Sequence, residues 1–195
     1  MNDVASEEEE IQKEARVHEK LLGIARQSIE AAVKGEPTPE FTVNEPELHH
    51  HHGAFVTVRQ RGELRGCLGQ FVSDIPLHKL VKEMAVAAIT EDPRFKDERI
   101  GEKDLGKIDI EVSVISPLKR VSDPTDFQLG RHGLYIKRGD NIGCLLPQVA
   151  TERGWSKEEF LSYCCLGKAG LGPDAWKETG TEVYVFTAGI INEHS

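Results

Sequence analysis

The sequence has no long Lys/Arg run, and its 33 acidic side chains outnumber 24 basic ones, leaving a formal net charge of −9 over 195 residues. A chain of that sign repels a phosphate backbone, so nucleic acid is not expected as a partner. No apolar stretch approaches the ~20 residues that cross a bilayer, so no membrane association is expected. Met1 to Glu10 is acidic and has no apolar centre, unlike a secretory signal. The expected compartment is therefore the cytosol, where thiols stay reduced. The four cysteines, Cys67, Cys144, Cys164 and Cys165, form no Cys-x-x-Cys pair and no Cys/His spacing of a zinc or iron–sulfur site. Adjacent Cys164 and Cys165 are badly placed to chelate together or to bridge to each other. There is no Gly-x-Gly-x-x-Gly or Walker loop, no Gly-x-Ser-x-Gly elbow and no His-Glu-x-x-His pattern. No cofactor and no metal centre are expected, and no internal repeat is visible.

The remaining pattern is that of one globular chain with ordinary charged and apolar fractions. Ser6 and Glu9 have the spacing of a capping box, with the acidic run Glu7 to Glu10 in the first turn. Ile11, Ala15, His18, Leu22, Ala25, Ile29 and Ala32 then recur at helical spacing until Gly35 and Pro37 end the helix. Gly35 to Glu47, with three prolines, reads as loop. The run His49 to His52 reads as solvated loop, with metal carriage a minor alternative because no fixed ligands stand nearby.

Ala54 to Gln60 and Leu64 to Phe71 alternate as two strands around Gly62. A helix follows, capped near Asp74 or Ile75, with Leu77, Leu80, Val81, Met84 and Ala88 on its apolar face and Asp92-Pro93 at its end. Ile108 to Ile115 is the clearest strand, with Asp109, Glu111 and Ser113 on its polar face. Leu134 to Lys137 and Ile142 to Leu146 flank a hairpin turn at Arg138 to Asn141. Ser156 with Glu159, and Trp155 with Phe160, mark a capping box and hydrophobic staple for a helix to about Leu166. Lys168 to Pro173 reads as loop, and Glu182 to Ala188 as a last strand. Antiparallel hairpins with segregated helices predict an α+β fold rather than a doubly wound sheet.

Chemistry concentrates at Leu64-Arg65-Gly66-Cys67-Leu68-Gly69. Strand alternation would put Arg65 and Cys67 on one face. Gly66 and Gly69 remove side-chain bulk, so a backbone or ligand can approach closely. A guanidinium beside a thiol favours the thiolate, so the segment reads as an activated cysteine. It reads equally as structure: free cysteine often packs, glycines mark bends, and Arg65 can hold a carboxylate such as Glu111. Other candidates are His132, a loop base next to Gly133, and Glu111 on its polar strand face. His78 reads as a packing or surface residue. Asp92 and Arg94 read as an ion pair that pins a loop. A Cys67–His132 pair would make a nucleophile only if the fold joins them. Cys144, Cys164 and Cys165 lie among apolar residues and should pack.

This segment resembles the signature of the AMMECR protein family, also called AmmeMemoRadiSam system protein A, with Leu68 where the family usually has Ile. Supporting matches run in order through Gly53 to Thr57, Asp92 to Phe95, Val112 to Val114, His132 to Leu134, Leu146 to Ala150 and Lys168 to Leu171. They cover Gly53 to Ala188. The histidine run and the acidic N-terminus lie outside the pattern.

The resemblance implies two unequal lobes of antiparallel sheet with packed helices and a cleft between them. The larger would be about Met1 to Leu118 plus Thr179 to Ser195, and the smaller Lys119 to Glu178. It also implies partners: a Memo-like protein or a radical S-adenosylmethionine enzyme, whose own three-cysteine motif this chain lacks. Two functions follow as expectations. One is a module binding a protein or peptide partner through Leu64, Gly66, Leu68, Gly69, Asp92 and Arg94. The other is an enzyme with Cys67 as nucleophile or redox thiol, Arg65 as its activator, and His132 or Glu111 moving protons on a peptide or small-molecule substrate.

Overall fold

A two-residue turn sets the register of the strand pair that carries the signature. Arg61 and Gly62 both adopt positive φ, 55° and 82°, as the type I′ turn between twisted strands requires. They join β1 (Gly53–Gln60) to β2 (Glu63–Gln70) in antiparallel register. The computed structural model describes residues 2–193, with side chains from Glu10 onward. The helix that holds Ser6 and Glu9 already begins at Asn2, so Ser6 lies inside it and does not mark its start, contrary to the expected Ser6–Glu9 capping box. The other elements, in chain order, are α1 (Asn2–Lys34), α2 (Leu77–Thr90), β3 (Ile108–Ile115), β4 (Lys119–Arg120), β5 (Gly133–Arg138), β6 (Asn141–Leu145), α3 (Pro147–Arg153), α4 (Lys157–Tyr163), β7 (Glu182–Phe186) and β8 (Ala188–Asn192). Among the described residues no helix is long and apolar enough to cross a membrane. The fold is α+β, with two four-stranded antiparallel sheets and helices.

The chain divides into two units, residues 1–114 with 190–195, and residues 115–189. The return to the first unit comes after β7, later than Thr179, because β7 pairs with β4 and β5 inside the second sheet.

In the first unit the strand order is β2-β1-β3-β8. Ala54, Val56 and Val58 of β1 and Ile108, Ile110 and Val112 of β3 share one buried face with Leu21, Ile24, Leu80 and Val81 from α1 and α2. α1 is a helix along its whole length, but its core contact begins at Val17. Ile11 is 67% exposed, so the buried stripe expected to start there does not. Gly35, at φ 69°, closes the helix, and the Glu36 N–H donates to the Ala31 carbonyl at 2.9 Å. The α2 N-cap is Pro76, two residues past Asp74, and no side chain caps it. Arg26 donates to Glu193 and to the carbonyls of Leu105 and Ile108, which ties α1 to both β3 and the C-terminal segment.

In the second unit the order is β4-β7-β5-β6. Its core gathers Leu134, Ile136, Val183 and Val185 from the sheet with Phe160, Leu161, Cys164, Cys165 and Trp176. The Ser156–Glu159 capping box forms in both directions. α3 is too short to show periodicity; its marks are Pro147 in the first turn and left-handed Gly154 just past the end.

Candidate functional site

Cys67 pairs across the hairpin with Thr57, on the face opposite the core-facing Val56 and Val58. The Thr57 hydroxyl donates to the Cys67 sulfur at 3.3 Å. β2 is an outermost strand, so one side of Cys67 has no sheet partner. Both of its backbone groups on that side are taken. The N–H donates to the Asp92 carboxylate at 2.9 Å, and the carbonyl accepts from an Arg94 guanidinium nitrogen at 3.2 Å.

Asp92 and Arg94 act as one clamp. Asp92 caps the short 3-10 turn Pro93–Phe95 by accepting the Arg94 N–H, and the Arg94 guanidinium grips the same carboxylate at 3.0 and 2.7 Å. The Asp92 side chain is 1% exposed and that of Arg94 55%. The guanidinium, followed by the backbone N–H donors, holds the Asp92 carboxyl far below the usual carboxylate range against the opposing effect of burial. Asp92 in turn raises Arg94 above its ordinary value, and the nearby Cys67 side chain adds to this. The guanidinium beside the thiol is therefore that of Arg94.

Arg65 is directed elsewhere by a β-bulge. Val58 pairs with Gly66 and Arg59 with Leu64, so Arg65 is the extra residue and the alternation linking it to Cys67 breaks there. Its guanidinium donates to Gln60 and to the Glu98 carbonyl at 2.7 Å, while its Nε is buried without a hydrogen-bond partner among the described residues.

The glycines of the signature admit the protein's own backbone. A Cβ on Gly66 would stand 2.1 Å from the Ala88 carbonyl oxygen of α2, and one on Gly69 2.3 Å from that of Ala54. Leu68 packs against the first core, and Leu64 is half-buried. Glu111, on β3, faces away from that core and is half-buried.

His132 belongs to the second unit. Its Nδ1 accepts the Gln128 N–H at 3.0 Å, which leaves Nε2 to carry the proton of the neutral ring. Burial first, then Arg131 and Lys119, lower its pKa below the ordinary histidine value, with Asp126 opposing. Near the histidine run, His78 donates to the Leu48 carbonyl and His49 to that of Val43, with their rings 5.0 Å apart. Among the described residues no group of three or more His, Cys, Asp or Glu is placed to hold a metal ion. Cys164 and Cys165 are fully buried, and Cys144 is half-buried.

An α+β chain of two antiparallel sheets, with a clamped Leu-Arg-Gly-Cys-Leu-Gly strand at one sheet margin, defines the class. The AMMECR1 family profile matches residues 22–191, and the chain belongs to that family. It is 39% identical over 180 residues to Protein NEQ441 of Nanoarchaeum equitans, covering 89% of this chain and 98% of that one. It is 41% identical to a protein of Methanothermobacter thermautotrophicus, covering 89% and 92%. The crystal structure of uncharacterized protein PH0010 from Pyrococcus horikoshii superposes with a TM-score of 0.78 at 36% identity, covering 89% and 90% of the two chains.

Proposed function

We propose that this AMMECR1-family chain is a cytosolic binding module that captures a protein or peptide partner at the surface around Cys67 and Arg94. The observation that carries the reading is the clamp. Asp92 and Arg94 occupy both outward backbone groups of Cys67, and the Arg94 guanidinium remains half open to solvent. A cation fixed in place by a buried carboxylate loses little freedom on binding, which favours recognition of a partner's carboxylate or carbonyl groups. With the backbone groups of Cys67 taken, recognition works through side chains rather than by adding a strand at that position.

The Memo-like and radical S-adenosylmethionine proteins suggested by the family resemblance are the first partners to test. Calorimetric titration of each purified candidate into this protein is expected to give binding that Arg94→Ala weakens about tenfold. Unchanged affinity of every candidate for the Arg94 variant would count against the reading.

The proximity of Arg94 to the Cys67 side chain favours a second reading, in which Cys67 is a nucleophile or redox thiol. Alkylation by iodoacetamide across pH separates the two. A nucleophile reacts rapidly at neutral pH in the native protein and slows in Arg94→Ala, with Arg65→Ala as the comparison. A thiol that stays inert until the protein unfolds removes the catalytic role.

A further inference from the structure

The second unit holds a cavity of about 610 Å³ lined by Lys119, Arg120, Arg131 and Lys157 and by a single carboxylate, Asp126. Four permanent cations converge there on a chain whose net charge is −9. A cavity walled by one sign of charge concentrates ions of the other. The cations are only partly neutralised from within. The Lys119 ammonium makes no hydrogen bond or ion pair among the described residues, and the Arg131 guanidinium makes one long contact, 3.4 Å, to the Gln128 side chain. Arg120 reaches Glu182 at 3.3 Å, which leaves other guanidinium donors free. Lys157 is held in position by the Thr125 carbonyl at 2.8 Å and by the Phe127 ring beneath it at 5.3 Å. His132 adds an N–H donor to the same wall, because its Nδ1 is committed to Gln128.

We infer that this cavity binds a small organic polyanion, a molecule carrying two or more phosphoryl or carboxylate groups. The volume falls within the range of about 300–1,000 Å³ typical of small-molecule sites and exceeds what one inorganic ion fills. Arginine forks and lysine points on several sides match oxyanions at more than one position. Phe127, Val121 and Val185 supply apolar surface for a carbon frame. The inference is independent of the partner surface at Cys67, since every residue in it lies in residues 115–189.

The test uses the full chain with two probes, pyrophosphate and citrate, against potassium chloride at equal ionic strength. Amide chemical shifts of Gln128, His132 and Lys157 are expected to move saturably with at least one probe. The dissociation constant is expected to weaken about tenfold in Lys119→Glu and in Arg131→Glu, and to stay unchanged in Lys103→Glu of the first unit. Tighter binding of pyrophosphate assigns the phosphoryl source, and tighter binding of citrate the carboxylate source. Amide spectra of the variants report whether each still folds. Binding by neither probe, shifts that the chloride control reproduces, or wild-type affinity in both folded variants would overturn the assignment.

Discussion

The Asp92 carboxylate accepts the Cys67 N–H at 2.9 Å across 25 residues of chain, and so joins the turn after α2 to the strand that carries the signature. Removing that acceptor leaves the N–H groups of Cys67 and Arg94, and a guanidinium, without their shared partner. Asp92→Ala is expected to cost about 3 kcal/mol, read as a lower urea midpoint at neutral pH.

The same carboxylate predicts an acid sensitivity. Its folded pKa lies below the unfolded value, so its contribution is complete above the ordinary carboxylate range near ~3.9. The contribution is lost as pH falls through the folded value. Urea midpoints of wild type and Asp92→Asn should differ most above that range and converge as the pH falls below it.

Gly66→Ala tests the approach of α2 to β2. The new Cβ would meet backbone at 2.1 Å, an atom that no side-chain rotation can move aside. A loss of about 2 kcal/mol or more is expected. Gly106→Ala, where a Cβ meets nothing within 4 Å, should change the melting midpoint little.

Arg26 and Glu193 form an ion pair with side chains 24% and 19% exposed, and Glu193 also accepts the Ile110 N–H at 2.9 Å. A double-mutant cycle with Arg26→Ala and Glu193→Ala should return a coupling of about 1–3 kcal/mol by denaturant unfolding. Additive losses would show that the pair contributes nothing beyond its separate contacts.

His132 is expected to titrate below the usual histidine value when followed by ring proton or carbon chemical shifts. Burial disfavours its charged form, and Arg131 and Lys119 add to that. The unfolded chain therefore binds this proton more readily. The His132 contribution to stability should fall as pH drops through the unfolded value of ~6.5 toward the folded one. His132→Gln should flatten that dependence.

Strands with one buried face were legible in the sequence because alternation maps directly onto burial. Ile108 to Ile115 matches its predicted bounds for that reason. The Ser156–Glu159 box was legible because both partners of a helix cap lie within one turn. α3 escaped because seven residues are too few for periodicity to register. β8, a short margin strand in which only Ile191 is buried, escaped for lack of alternation. At the site, Cys67 and Asp92 were each visible as candidates, but their pairing is a product of tertiary folding. The bulge that separates Arg65 from Cys67 was hidden because alternation assumes an unbroken register.

The position of β2 at the rim of its sheet carries one more consequence. A rim strand with open N–H and carbonyl groups is a template for another copy of the same chain. Asp92 and Arg94 fill that template at Cys67, which closes this point of the rim to strand pairing. Loss of Asp92 should therefore show as concentration-dependent light scattering under conditions where most molecules still fold.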